Sequence, residues 1–92
     1  MATEAQPGRL CLSKSGRDKG RYFIIKEVSQ DGCVYVVDGM LRKMQNPKKK
    51  KLRHVELKPE VIKAIAEKFV TGAKVFDAEV ASAILGSGYT DK

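Results

Sequence analysis

At 92 residues the chain has room for one domain with a modest core, a size at which roughly 60–65% of the unfolded surface becomes buried. Two cysteines and one histidine exclude both a disulfide framework and the usual four-ligand zinc site, and no apolar run approaches the ~20 residues of a membrane span. The start, "MATEAQPG", has no basic segment followed by an apolar one, so no secretory signal is expected; a soluble, intracellular, cytoplasmic protein with reduced thiols at Cys11 and Cys33 is.

In chain order, residues 1–8 are expected to be disordered. "RLCLS" alternates, with Leu10 and Leu12 on one face, and "YFIIKEV" and "CVYVV" are rich in β-branched and aromatic residues. Asp31-Gly32 and Asp38-Gly39 each suit a two-residue hairpin turn, which predicts a three-strand meander running through "DGMLRKM". With "RLCLS" before it and "KKLRHVE" after it, five short strands fit in residues 9–57. A small barrel is the economical arrangement, because closure removes exposed edges. In the last strand Lys51, Arg53 and Val55 share one face and Leu52 and His54 the other, with Leu52 in the core.

The pattern changes at Leu57. "KPEVIKAIAEKFVTG" predicts a helix with Pro59 and Glu60 near its start, an apolar stripe of Ile62, Ile65, Ala66 and Phe69, and a stop at Gly72. A second helix is expected over Ala78–Leu85, with Asp77 as its cap and Gly86 at its end. The two form a helical appendage over residues 58–86, followed by a disordered tail over 87–92.

The positive charge is local. Residues 42–54 carry seven Lys or Arg and no acid, a net +7, against +1 for residues 1–41 and −1 for residues 55–92. A patch of one sign points to a partner of the other. A second basic stretch is "SKSGRDKGRYF", where Gly16 and Gly20 bracket Arg17, Asp18 and Lys19. Such a loop lets backbone N–H groups and basic side chains approach a phosphate. It is no nucleotide-binding P-loop, which needs four residues between its glycines, then Lys-Ser or Lys-Thr, then a helix.

"RLCLSKSGRDKGRYFIIKEVSQDGCVYVV" resembles the KOW motif, with Leu10, Leu12, Gly16, Lys19, Gly20, Phe23, Ile25 and Val28 at the matching positions. "VDGMLRKMQNPKKKKLRHVEL" is similar to the small bacterial KOW-domain proteins related to the archaeal and eukaryotic large-subunit ribosomal protein of the fourteen-e class. There Asp38, Gly39, Arg42, Pro47, Lys48, Lys50 and His54 fit, while Arg53 and Val55 replace the usual Lys and Leu. The resemblance covers about residues 9–86. It implies a mainly β chain with an α tail, namely a five-stranded SH3-like (KOW) barrel followed by two short helices. It also implies ribosomal RNA, or another structured RNA of the translation machinery, as the target.

The expected function is thus non-catalytic RNA binding at the ribosome. The phosphate-facing residues are Arg42, Lys48, Lys49, Lys50, Lys51 and Arg53, then Arg17, Lys19 and Arg21, with Lys43 and His54 beside them and Gly16 and Gly20 offering loop backbone. No cofactor, metal or catalytic group is expected, since no nucleophile–base pair or ligand cluster is present. The free protein is expected to be a monomer, with the helical tail available to ribosomal proteins. The alternative is a protein-interaction adaptor. SH3-like barrels that bind proline-rich peptides or methylated lysines need clustered aromatics, and this chain has no Trp and three Tyr.

Overall fold

The computed structural model describes residues 5–88. Among them, β1 (Arg9–Ser13), β2 (Tyr22–Val28), β3 (Cys33–Val37), β4 (Lys48–Lys51) and β5 (Val55–Val61) form one antiparallel sheet in the order β4-β3-β2-β1-β5. Two helices follow, α1 (Lys63–Thr71) and α2 (Asp77–Gly86). No described helix is long and apolar enough to cross a membrane.

Strand alternation sends neighbouring residues to opposite faces, and both faces are used. Cys11, Phe23, Ile25, Val34, Val36 and Val55 make one buried cluster. Leu10, Ile24 and Val37 make the other, with Ile65 of α1, Val75 of the inter-helix turn and Val80 of α2 packed on them. Each buried Leu, Ile, Val or Phe contributes roughly 1.5–3 kcal/mol. Exposed pairs such as Lys49–Asp31 are screened by solvent and add little, so the two apolar faces hold the fold.

The sheet curls strongly. β4 and β5 lie on opposite edges, which in a flat five-stranded sheet would be roughly 19 Å apart. Yet only the 3₁₀ turn Leu52–His54 links them, and at about 2 Å per residue it advances the chain by about 8 Å. The edges therefore approach each other at this corner, where Leu52 N donates to Gly32 O and Lys14 N to His54 O. No ladder between β4 and β5 joins them among the described residues, and the sheet is not closed.

Several expected boundaries move. The fourth strand is the lysine run and not "MLRKM", because residues 38–47 form a pinned loop. Neither Asp-Gly pair makes a two-residue hairpin of type I′, which needs positive φ at both central residues. Among the described residues only glycines have positive φ. Gly32 ends a four-residue connection, and the Asp38 carboxylate instead accepts from Met40 N and Arg42 N. The 3₁₀ turn breaks the expected alternation after Lys51, so Leu52 is 37% exposed and Lys50 takes the inward position. Pro59 and Glu60 belong to β5 and not to a helix start; proline is tolerated there because β5 is an edge strand. α1 begins at Lys63 and ends on Gly72 at φ 81°.

At α2 the capping residue is Phe76, whose N–H donates to the Glu79 carboxylate. Asp77 is the first helical residue, and its carboxylate accepts from Met44 N at 2.7 Å. Of the segment expected to be disordered at the start, residues 5–8 are attached to the sheet. Ala5 packs on the first cluster and Gly8 N donates to Ile25 O. Of the tail expected to be disordered over 87–92, Ser87 and Gly88 are tied to the end of α2, Ser87 N donating to Ala83 O and Gly88 N to Leu85 O; the remaining terminal expectations, residues 1–4 and 89–92, lie outside the described residues.

Both cysteines are free thiols. Burial pushes the Cys11 thiol up to about 12, with nearby Lys50 opposing it, so it stays protonated and unreactive. A thiol reagent should label Cys33 in the native protein and Cys11 only after unfolding; mass spectrometry of native protein with Cys11 labelled as fast as Cys33 would contradict this burial.

Candidate nucleic-acid interface

The facing of the lysine run follows from its register. Lys48 and Lys50 lie opposite Val36 and Val34, both fully buried, whereas Lys49 and Lys51 lie opposite Tyr35 and Cys33. Lys48 and Lys50 therefore share the face of the first cluster. Lys49 lies on the other face, its ammonium 5.9 Å from the Tyr35 ring centroid. It pairs with Asp31 at 3.0 Å, and Ser29 and Lys49 hold that carboxyl down at about 2.

Lys50 is turned inward and nearly buried. Its side chain is 6% exposed, and its ammonium donates to Asp18 Oδ1 at 2.9 Å and to Ser15 O at 3.2 Å. The Ser13 hydroxyl donates to the same Asp18 oxygen at 2.7 Å. Burial works to raise the Asp18 carboxyl, but Ser13 and Lys50 together outweigh it and hold it below its ordinary value. This cluster ties β4 to the loop between β1 and β2. Backbone bonds finish the job, Gly20 N donating to Ser13 O and Arg21 N to Asp18 O. Gly16 and Gly20 take φ of 86° and 88°, which L side chains rarely adopt, so the loop follows a path that needs glycine. The Gly20 N–H is consumed within the loop and is not offered outward.

The loop so held presents Arg17, Lys19 and Arg21 to a groove of about 500 Å³, whose opposite wall is Leu41, Arg42 and Lys48 and whose base includes Phe23. Arg21 is anchored, its Nε donating to Asp38 Oδ2 at 2.9 Å. Burial again acts to raise the Asp38 carboxyl. Arg21 and the N–H groups of Arg42 and Met40 prevail and lower it. One carboxylate thus fixes both walls, holding Arg21 on one side and the backbone of Arg42 on the other. Among the described residues, Arg17, Lys19, Arg42 and Lys48 form no ion pair. Four cations outside any ion pair and one anchored guanidinium around a concave floor can donate to several phosphate oxygens at once.

The other expected residues lie elsewhere. Lys51 and Arg53 line a different hollow with Asp31, Gly32, Cys33 and Leu52. Lys43 is exposed on the loop before β4, and half-buried His54 offers its carbonyl to Lys14 N. Tyr22 and Tyr35 are both half-buried. The charge run is thus divided among two hollows, an ion pair and an inward anchor, not spread over one surface. The contributions of Asp38 and Leu41 to the groove were missed, although "VDGML" carries the signal of an acid that can cap its own loop. Among the described residues no group of three or more His, Cys, Asp or Glu side chains could hold a metal ion. No family model matches the chain, and no curated protein matches it significantly.

Proposed function

We propose that the protein binds RNA without catalysis, through the groove between the β1–β2 loop and the Leu41–Lys48 wall. Its target is ribosomal RNA or another structured RNA of the translation machinery, and it acts as a cytoplasmic monomer until bound. The observation that carries this reading is the groove itself, where Arg17, Lys19, Arg42 and Lys48 converge without an ion-pair partner among the described residues. Charged side chains ordinarily find counter-charges or scatter; a rigidly built concavity in which five Lys or Arg outnumber the one acid, Asp18, suits a polyanion. The resemblance to KOW proteins over residues 9–86 adds the RNA class. The finer description, an SH3-like barrel of KOW type, is supported by the strand order, by the glycine loop between β1 and β2, and by the approach of the outer strands at Leu52–His54.

Anisotropy of a fluorescent hairpin RNA across a salt series tests it. With about four phosphates engaged, the log–log salt slope should be roughly −3. Changing Arg17, Arg42 and Lys48 together to Ala should remove roughly 2 units of that slope and weaken binding about tenfold or more. Changing Lys51 and Arg53 should do less. A flat salt response, or a triple variant that binds like the parent, defeats the reading. A protein contact through the helices is favoured separately by Val70, Phe76 and Leu85, which are 81%, 55% and 70% exposed. Leu85→Ser should leave RNA binding unchanged if these exposed side chains serve a second partner.

A further inference from the structure

The groove is not purely cationic. Leu41 lines it while remaining 68% exposed, and Met40 beside it is 64% exposed. Their loop is not free to fold them inward. Asp38 Oδ1 accepts from Met40 N at 2.9 Å and Arg42 N at 2.8 Å, Asp38 N donates to Arg42 O, and Asp77 Oδ1 accepts from Met44 N. A pinned loop therefore holds an apolar side chain out over a cationic hollow. The hollow's volume of about 500 Å³ falls in the ~300–1,000 Å³ range of sites that swallow a small molecule. A regular duplex presents only a smooth row of phosphates and would bridge such a hollow without filling it, leaving Leu41 in water. An unpaired nucleotide offers a flat apolar face together with a phosphate on either side.

We infer that the groove takes one unstacked nucleotide, its base against Leu41 and its flanking phosphates on Arg17, Lys19, Arg42 and Lys48. This rests on the RNA-binding reading and narrows it from structured RNA in general to RNA with a bulge or a flipped base.

The test compares three hairpin RNAs of equal stem length with the full chain: fully paired, carrying one bulged 2-aminopurine, and carrying one abasic bulge. Burying Leu41 against a base should make the bulged RNA bind about tenfold more tightly than the paired one, with a change in 2-aminopurine fluorescence on binding. The abasic bulge should lose that advantage, which separates base recognition from the kink a bulge creates. Leu41→Ala should bind all three alike while keeping the parent salt slope and melting temperature, because the side chain it removes is exposed. Equal affinity for the three RNAs with a steep salt slope overturns the inference and leaves the RNA reading standing. A bulge preference that survives Leu41→Ala also overturns it. Failure to bind any of the three overturns both.

Discussion

Lys50→Ala should lower stability by about 3 kcal/mol, the lower end of the cost of removing one partner from a buried ion pair. The lower end applies because Asp18 retains 16% exposure while Lys50 has 6%. For a domain of this size that is a fall in melting temperature of more than about 10 °C, measurable by thermal circular dichroism. Lysine in the middle of a basic run would ordinarily be exchangeable for alanine at almost no cost. The loss here arises because the carboxylate left behind keeps Ser13 as a donor and the more distant charge of Lys48, but loses the one cation bonded to it. A double variant, Lys50→Met with Asp18→Asn, removes both charges and should recover part of the loss, so the two single effects should not add. The pH dependence has a definite sign. The Asp18 carboxyl lies below its ordinary value in the folded protein. The stability it lends is complete above the unfolded value of about 3.9 and is lost as pH falls through the lower folded value. The difference between parent and Lys50→Ala should therefore shrink only in that acid range. In RNA binding, the same variant should weaken affinity by loosening the loop yet leave the salt slope near the parent's, whereas Lys48→Ala should reduce the slope. A Lys50→Ala protein with parental melting temperature would refute the inward anchor.

The contrast between Lys48 and Lys50 shows where a sequence stops being informative. β1, β2 and β3 were legible because alternation in "RLCLS" and the β-branched and aromatic enrichment of "YFIIKEV" and "CVYVV" are local signals. Gly72 was legible as a stop, since a helix end needs its positive φ. β4 was not, because four identical lysines have no alternation to read. Their division into one groove cation, one ion pair, one buried anchor and one lysine of the second hollow comes from register against β3 and from an aspartate 32 residues from Lys50. Leu52 and Pro59 failed for the same reason. Whether a position lies on an edge strand or in a corner turn depends on which strands are neighbours, and no window of sequence contains that. The candidate site was legible as charge and illegible as shape. The basic loop and the basic run stood out by composition, while the groove's far wall depends on how Asp38 folds its own loop.

Gly39→Ala should be at least as damaging as Lys50→Ala, although it adds a single methyl to a half-buried residue. Gly39 has φ 79°, where a residue with a side chain costs roughly 1–2 kcal/mol. A β-carbon there would also press inside van der Waals contact with the Asp77 carbonyl oxygen and stand 2.9 Å from Ala81 N. Both neighbours are backbone of α2, so neither can rotate away. Relief requires the loop and the helix to separate, and that separation pulls on the Met44 N–H bond to Asp77 and on the Val80 contacts with Leu10, Ile24 and Val37. The combined cost should exceed about 3 kcal/mol, within the range reserved for overpacking and backbone strain acting together. It should appear as a lower denaturant midpoint at unchanged slope. Gly32→Ala is the matched control. It has a similar φ of 83° but open space around the added carbon, so it should pay only the conformational part. If the two variants prove equally stable, the close approach of the loop to α2 is wrong. If Gly39→Ala falls much further, the wall that carries Leu41 and Arg42 is braced by the helices, and the helical segment helps to shape the groove while touching none of its cations.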